Sequence, residues 1–497
     1  MRRVLPALCL LTACVQGSKI PKDVLVIGVE SEIKNLDFRY AVDANTSHVM
    51  RLFSQALIEI DESLQPVPDF ALSWKTDDAQ TFHFELPSNA AFHNGAPVSC
   101  KDVEASFRQS GSNTSRLKSS LRQVESYTCT SPTHFVIKLK VPNASFVAAE
   151  LPLIRILPAN IIFKDDISRE IIGTGPYIFR KRDGRDLVFE RFENYAPGRS
   201  RPLFFKRVIV RSIEDPTTRF LSILGGDVDV LMNALSPKRV VEASENKNLQ
   251  VFRGPGNNYT YLGFNLRLKK FQDHRVRLAL AISIPRDEII QHKLLGYGMP
   301  ATSVLAPRNA FRNDELKPFP YDPDRARALL KEAGTENLEI EIKSSSDRDV
   351  ISMLLVIQES WQKIGIKVSL KPYEFGTFFS DVQKGNVEMY MLKWSGVVEP
   401  DIMNKILHSR EFPPGRNRTY YVNKEVDALL ERGEREAQVE IRKKIYNKVQ
   451  AIVYEEIPYL PLWYPDNIVV ATRELKGFRL HPGGSWAPLW NSRKESP

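Results

Sequence analysis

Residues 338–394 read LEIEIKSSSDRDVISMLLVIQESWQKIGIKVSLKPYEFGTFFSDVQKGNVEMYMLKW, and the spacing of their apolar side chains decides the fold. Strand patterns cover Leu338–Lys343, Ile366–Leu370 and Val387–Trp394, with apolar residues at helical spacing between them. Strands that alternate with helices in this way predict right-handed crossovers and a largely parallel sheet. The stretch is therefore typical of an α/β protein.

A parallel sheet also predicts where a ligand binds, because ligands lie beyond the carboxyl ends of the strands. Two loops meet that condition, Ser344–Arg348 after the first strand and Trp394–Asp401 after the third. Near the start of the chain, the buried-strand pattern Val24–Val29 runs into a polar loop with Ser31 and Glu32. We expect that loop to form a further wall of a binding site.

The rest of the chain is long enough for more than one globular unit. It has 497 residues and 42% hydrophobic content, which favours two lobes or more. Period-two strand patterns at Phe82–Leu86 and Phe135–Leu139 flank a helical stretch, so this region is interpreted as a small α+β subdomain. Near the carboxyl terminus, an apolar helical stripe is followed by strand patterns at 458–463 and 468–471.

The amino terminus has the order of features found in a lipoprotein export signal. Arg2 and Arg3 precede the apolar run Val4–Leu11, and small residues lead into Cys14. We predict a signal peptide at residues 1–13 and a lipid on Cys14, so that the protein works in the periplasm or at the cell surface. Cleavage without lipidation and an ordinary buried segment are the alternatives.

Two further cysteines remain for the exported chain. Cys100 and Cys129 can form a disulfide in an oxidising compartment. They can equally stay reduced and half-buried, since the sequence does not give the distance between them.

Charge and motifs exclude several classes of function. The formal charge of +9 would suggest nucleic acid in a cytoplasmic protein, but export argues against that partner and favours an anionic lipid or cell-wall surface. Gly-x-Ser-x-Gly, His-Glu-x-x-His, Walker and EF-hand motifs are absent from the sequence. We therefore predict a binding protein, not an enzyme, without catalytic residues, metal or cofactor. Gly173–Tyr177 is interpreted as a structural turn and not as a phosphate loop.

Several spaced motifs carry a resemblance to a known family. The block formed by Tyr261–Asn265, Phe271–Arg277 and Ala279–Arg286 resembles the hallmark of the family 5 solute-binding proteins, the peptide, nickel and oligosaccharide receptors of ABC importers. Similar matches recur in order along nearly the whole chain after the signal, at Phe92–Val98, Gly173–Tyr177, Trp361–Ile366 and Pro458–Trp463.

The resemblance implies a two-lobed periplasmic-binding-protein fold of type II, in its large peptide-binding subclass. Lobe I would cover residues 14–257, with the small α+β subdomain at about 45–165, and lobe II residues 258–471. Residues 472–497 would return to lobe I. Two crossovers would form a hinge, and the lobes would close on the ligand.

The same resemblance raises a question about peptide recognition. Peptide-binding members usually carry an aspartate three residues after the tryptophan equivalent to Trp394, and it binds the amino terminus of the peptide. This chain has Val397 there, so Glu399 or Asp401 would have to substitute. Dipeptide binders tend to place an arginine early in the other loop, where it binds a carboxylate. This chain has Ser344 there and an arginine only further on, at Arg348. Arg348 would bind the ligand if the loop folds inward, and otherwise it would be solvated or cap a helix.

The predicted ligand-binding set combines these positions with the rest of the two loops. Asn265 is included as a hydrogen-bonding residue on the hinge side, and Trp394 is interpreted as either a core aromatic or a platform for ligand. The complete set is Ser31, Glu32, Asn265, Ser344, Arg348, Trp394, Ser395, Gly396 and Glu399.

The predicted function is that of a monomeric, lipid-anchored binding protein of an ABC importer. It would capture a small polar solute, a short or modified peptide, and deliver it to a membrane permease. The alternative is a ligand sensor or scaffold that signals to a membrane partner without transport.

Overall fold

The computed structural model describes residues 20–40, 44–112, 115, 117–164, 170–195 and 202–495. The predicted signal peptide and Cys14 lie outside these residues. The strands, in chain order, are β1 Val24–Val29, β2 Ile58–Ile60, β3 Pro66–Pro68, β4 Ser73–Lys75, β5 Thr81–Glu85, β6 Val124–Ser131, β7 His134–Leu139, β8 Tyr177–Asp183, β9 Asp186–Arg191, β10 Arg207–Ser212, β11 Val230–Met232, β12 Leu249–Pro255, β13 Tyr259–Phe264, β14 Gly298–Pro300, β15 Glu339–Ser345, β16 Lys367–Tyr373, β17 Met389–Trp394, β18 Tyr459–Thr472, β19 Leu475–Lys476 and β20 Arg493–Lys494.

The helices are α1 Ala44–Phe53, α2 Cys100–Ser110, α3 Lys118–Leu121, α4 Phe146–Ala149, α5 Ala159–Ile162, α6 Pro216–Gly225, α7 Pro237–Glu245, α8 His274–Ile282, α9 Arg286–His292, α10 Pro323–Glu332, α11 Arg348–Gln362, α12 Phe375–Lys384, α13 Ile402–Leu407, α14 Lys424–Arg435, α15 Val439–Glu456 and α16 Ala487–Trp490. Short 3₁₀ turns occupy Leu151–Leu153, Lys269–Phe271 and Ser409–Glu411.

Residues 338–394 form the outer part of the second-lobe sheet, with the alternating strands and helices that their periodicity predicts. Strand β15 pairs in parallel with both β16 and β17, and α11 and α12 are the crossovers between them. The apolar face of α11 packs on this sheet through Leu354, Ile357 and Trp361, which are all buried. Helix α11 begins where the side chain of Asp347 accepts hydrogen bonds from two backbone amides of its first turn.

Strand β18 belongs to both lobes and so links them. Its first half pairs with β13 and β14 of the second lobe, whereas Asp466–Thr472 pairs with β12 of the first. The chain also passes between the lobes from β12 to β13, through residues 256–258. These two passages form the hinge. The chain rejoins the first lobe from Asp466, earlier than the predicted boundary at 471, because one continuous strand replaces the two predicted strands.

The first lobe is built on the sheet order β11-β1-β10-β9-β8, in which β1 pairs in parallel with β10 and β11. The carboxyl-terminal segment returns to this lobe and buries Trp486, Leu489 and Trp490 in its core. Lys494 forms a buried ion pair with Asp229, with 2.7 Å between Nζ and Oδ1. The last residues of the described chain are thereby fastened to the first lobe.

A separate antiparallel sheet, β4-β5-β7-β6, covers one side of the first lobe together with α2. A disulfide joins Cys100, at the start of α2, to Cys129 in β6. The turn at Gly173–Tyr177 packs against the end of α1, where a Cβ on Gly173 would lie 2.0 Å from the carbonyl oxygen of Phe53. Glycine is needed there for close approach of two backbones, which is a structural role.

Candidate functional site

The candidate site is the cleft between the lobes, because the carboxyl ends of the parallel strands in each lobe meet the hinge. In the second lobe, Trp394 at the end of β17 pairs with Tyr259, the first residue after the crossover. In the first lobe, Asn233 follows β11 and its side chain bonds to Asn467 of the second crossover, with 3.1 Å between Nδ2 and Oδ1. This is the edge that the topology rule selects for a ligand.

The two lobes contact each other directly across the mouth of this cleft. Ser145 of the first lobe donates to Glu399 of the second, with 2.7 Å between Oγ and Oε2. Nearby, Lys405 of the second lobe lies 2.8 Å from a carboxylate oxygen of Glu150 in the first. The backbone amide of Ala144 also donates to the carbonyl oxygen of Glu434. We call these contacts the interlobe bridge, and they describe a closed arrangement of the lobes.

Arg442 organises the second-lobe side of the bridge. Its guanidinium lies 3.1 Å from Glu399 and 3.2 Å from Asp401, and it hydrogen-bonds Ser145. Burial raises the pKa of both carboxyls, and Arg442 opposes that rise. Arg442 pairs with both carboxylates. Neither Glu399 nor Asp401 is therefore free to bind a ligand ammonium in place of an aspartate at the position of Val397.

The loop after β17 is fixed to the hinge. Asn257 donates from its side chain to the carbonyl oxygen of Val397, at 3.2 Å, and Asn258 accepts from the amide of Gly396. Ser395 and Gly396 are exposed at this edge, whereas the side chain of Val397 is buried in an apolar cluster. The position after Trp394 where peptide binders usually carry aspartate is therefore a core position here.

Trp394 lies at the cleft edge with part of its ring in the core. It is half-buried against the core and stacks on Tyr261, with 6.2 Å between ring centres. Its indole N–H finds no acceptor among the described residues. A ring with one face in the core and a free donor at the cleft edge is suited to contact a ligand.

Arg418 lies beside Trp394, and the sequence did not single it out. Its guanidinium carbon is 4.7 Å from the ring centre of Trp394 and 4.9 Å from that of Phe379. Only 8% of the residue is exposed. Desolvation lowers the pKa of Arg416, two residues earlier, and the negative charge of Glu150 opposes that shift. Since Glu150 belongs to the first lobe, this segment of the second lobe faces the first.

The other predicted loop of the second lobe contributes less than expected. Ser344 is buried within β15, and its hydroxyl bonds to the carbonyl oxygen of Ser345. Arg348 is exposed as the first residue of α11, and the helix cap is Asp347. On the first lobe, Ser31 and Glu32 are both exposed after β1, with Glu32 3.9 Å from Arg182.

Asn265 does not lie on the hinge side, where the sequence predicted it. Asn265 follows the far end of β13, next to Phe264, which pairs with the first residue of β17. Its side-chain amide donates to the carbonyl oxygens of Gly385 and Val387. β13 starts at the hinge and runs away from it, so its last residue and Asn265 lie at the edge of the lobe opposite the cleft.

A cluster of titratable side chains lies in the first lobe, close to the second crossover. Arg51 and Arg155 each lie 2.9 Å from the same oxygen of Glu59. Burial alone would raise the pKa of Glu59, but the two arginines outweigh it and lower the pKa to about 2. Burial lowers the pKa of His48 to about 3, with Arg51 adding to the shift, and the His48 ring stacks on Trp486.

Asp69 belongs to the same cluster and behaves in the opposite way. Burial, together with the charge of Glu59, raises its pKa to about 6 although it accepts a hydrogen bond from the amide of Ala56. His481 lies beside this cluster, since its ring nitrogen is 3.2 Å from the carbonyl oxygen of Ile60, and its own carbonyl oxygen accepts from Asn467 of the second crossover. The first lobe therefore holds a buried charged cluster near that crossover.

Sequence reasoning missed Ser145, Lys405, Arg418 and Arg442. A signal did exist for Arg442, since it falls on the face of α15 that also carries the buried Ile445, Tyr446 and Val449. A charge on an apolar stripe calls for a buried partner. Nothing in the local pattern around Arg418 pointed to the cleft.

The described residues contain no group of three or more His, Cys, Asp or Glu side chains that could hold a metal ion. Within those same ranges, none of the helices is both long and apolar enough to cross a membrane.

Comparison with known proteins agrees with the geometry. The glutathione-binding protein GsiB of Escherichia coli O1:K1 / APEC is 26% identical over 499 residues, covering 97% of this chain and 96% of its own. A structure of NikZ from Campylobacter jejuni in complex with Ni(L-His) matches with a TM-score of 0.82 and 26% identity, over 96% of this chain and 100% of that one. DppA from Helicobacter pylori, in complex with the peptide STSA, shares the fold with a TM-score of 0.83 and 23% identity, over 95% and 98% of the two chains.

These neighbours confirm the predicted α/β periplasmic-binding-protein fold. The model of the bacterial extracellular solute-binding proteins, family 5 Middle, matches residues 65–410, which is well over half of the sequence. The chain therefore belongs to the bacterial extracellular solute-binding proteins of family 5.

Proposed function

We propose that this protein captures a short or modified peptide between its lobes and delivers it to an ABC permease. Solute-binding proteins of this family serve importers of peptides or related ligands. The observation that carries the proposal is the interlobe bridge, in which Ser145 and Glu150 of one lobe bond to Glu399 and Lys405 of the other. Contacts that exist only when the lobes are closed let ligand binding select that state.

The names of the relatives support a peptide-like solute. GsiB is named for glutathione, and the DppA structure contains a tetrapeptide. The cleft edge of this chain offers hydrogen-bonding groups, from the indole N–H of Trp394 and the exposed Ser395 and Gly396, which suit a small polar ligand.

The free amino terminus of an ordinary peptide is not the group that this cleft edge recognises. Val397 is buried, and Glu399 and Asp401 are both paired with Arg442. A desolvated ammonium without a counter-ion would cost several kcal/mol. A peptide whose amino group is modified, or remains in solvent, avoids that cost.

The direct test is to identify the ligand that the purified protein retains. The full chain would be denatured and the released small molecules analysed by mass spectrometry, and each candidate would then be titrated calorimetrically into ligand-free protein. We expect a peptide or peptide derivative that binds with one-to-one stoichiometry. Recovery of a solute without any peptide bond, or binding outside a one-to-one complex, would contradict the proposal.

We also propose that the protein is held at the periplasmic or outer face of a membrane by lipid on Cys14. The order of charged, apolar and small residues before Cys14 supports this. The full-length chain expressed in a bacterial host should partition into the detergent phase of a Triton X-114 extract, and Cys14→Ser should move it to the aqueous phase. Equal partitioning of the two forms would overturn the lipid anchor without affecting the solute-binding proposal.

A further inference from the structure

We infer that Arg418 binds an anionic group of the solute, and that a carboxylate is the group its surroundings fit. The inference deepens the proposed function, on which it rests, by naming the chemistry that the second lobe recognises.

Arg418 is a buried cation, and within the described ranges no carboxylate lies within 4.0 Å of its guanidinium. Its Nε–H has no acceptor there. Other buried arginines have carboxylate or carbonyl partners: Arg39 pairs with Asp37, and Arg286 donates to the carbonyl oxygens of Ala281 and Pro461, although its second terminal nitrogen has no partner. Burying an unpaired charge is costly, so an anion from outside the chain would relieve the cost.

Two aromatic rings lie beside the guanidinium of Arg418. The centres of the Trp394 and Phe379 rings are 4.7 and 4.9 Å from its central carbon, distances at which each ring attracts the cation. Polar contacts with a ligand are left to the N–H bonds at the edge of the group. A carboxylate meets such an edge with two parallel hydrogen bonds.

A further donor lies beside the guanidinium. Nε1 of Trp394 has no hydrogen-bond partner among the described residues. The indole nitrogen can only donate. An anion, which only accepts, suits this donor and the guanidinium together.

The two rings lie where a ligand can approach from the cleft. Trp394 is the last residue of β17, and Phe379 lies in the second turn of α12, which starts directly after β16. Both rings therefore lie at the carboxyl edge of the sheet, and Arg416, two residues before Arg418, is near enough to Glu150 of the first lobe for their charges to interact. A ligand held between the lobes reaches Arg418 without crossing the core.

The test uses the full chain, dialysed free of ligand, with acetate and tri-alanine as probes. The melting temperature would be measured in each probe against chloride at equal ionic strength, and tri-alanine would be compared with its carboxyl-terminal amide. We expect acetate and tri-alanine to raise the melting temperature and the amide to have little effect. Arg418→Gln should weaken the apparent affinity for both acids by at least about tenfold.

Two variants control this experiment. Arg418→Lys keeps the positive charge but loses the planar guanidinium that makes two parallel hydrogen bonds to a carboxylate. It should therefore retain part of the rise in melting temperature that the acids cause. Arg325→Gln removes an exposed arginine of the same lobe, 52% exposed in its pair with Glu332, and should respond as the unchanged protein does.

An equal response to acid, amide and chloride in the unchanged protein would overturn the inference, even if Arg418→Gln failed to fold. The same acid preference in Arg418→Gln would overturn it too. If mass spectrometry recovers a peptide derivative without an anionic group, the proposed function survives and the role of Arg418 does not.

Discussion

Replacement of Lys405 by methionine should weaken ligand binding by destabilising the closed state alone. Lys405 Nζ lies 2.8 Å from Glu150, whose side chain is only 5% exposed. A hydrogen bond between charged groups contributes about 1.5–3 kcal/mol, and losing it would leave the carboxylate of Glu150 buried. Since Lys405 itself is 37% exposed, we place the cost near the lower end, at about 2 kcal/mol.

That cost falls on the closed form because both side chains are hydrated when the lobes separate. A shift of about 2 kcal/mol corresponds to roughly 30-fold weaker apparent affinity if the ligand-free protein is mostly open. The assay is calorimetric titration of Lys405→Met with the ligand recovered from the unchanged protein. Lys448→Met is the matched control, since Lys448 forms an exposed pair with Glu425 inside the second lobe and should leave the affinity unchanged. Affinity of Lys405→Met within about twofold of the unchanged protein would refute the reasoning.

Three further predictions concern stability. Arg442→Met should lower the free energy of unfolding by about 3–5 kcal/mol in urea, because it leaves two buried carboxylates without their cation; a loss below about 1 kcal/mol would contradict that role. His48 has a native pKa of about 3 against about 6.5 unfolded, so its contribution is complete above pH 6.5 and is lost as the pH falls towards 3. His48→Gln should therefore flatten the loss of stability measured between pH 6.5 and 4, and an unchanged slope would count against the burial of a neutral His48. Replacing Cys100 and Cys129 by serine opens a crosslink that spans 29 residues and should cost about 3–4 kcal/mol, whereas equal unfolding midpoints with and without reductant would argue against the bond.

The sequence predicted the parts of the fold that depend on local period. The spacing of apolar residues predicts each strand and helix between residues 338 and 394. Because strands and helices alternate there, the sequence also predicts the parallel pairing that β15 makes with β16 and β17. The rule that ligands lie at carboxyl ends then placed Trp394, Ser395 and Gly396 at the hinge edge.

The remaining features depend on contacts between distant residues. Glu399 was predicted as a ligand residue, but its partners Arg442 and Ser145 are 43 and 254 positions away. The position of Asn265 depends on the direction in which β13 leaves the hinge, which the local pattern does not give. The end of the second lobe depends on β18, which continues from one sheet into the other, and the spacing of apolar residues along a strand does not show which strand it pairs with.

Closure of the two hinged lobes on a solute can be measured by small-angle X-ray scattering of the full chain, first freed of ligand and then saturated with the solute recovered from it. We predict that the radius of gyration falls on saturation and that Lys405→Met needs more ligand to reach the same value. An identical scattering profile with and without bound ligand would contradict closure.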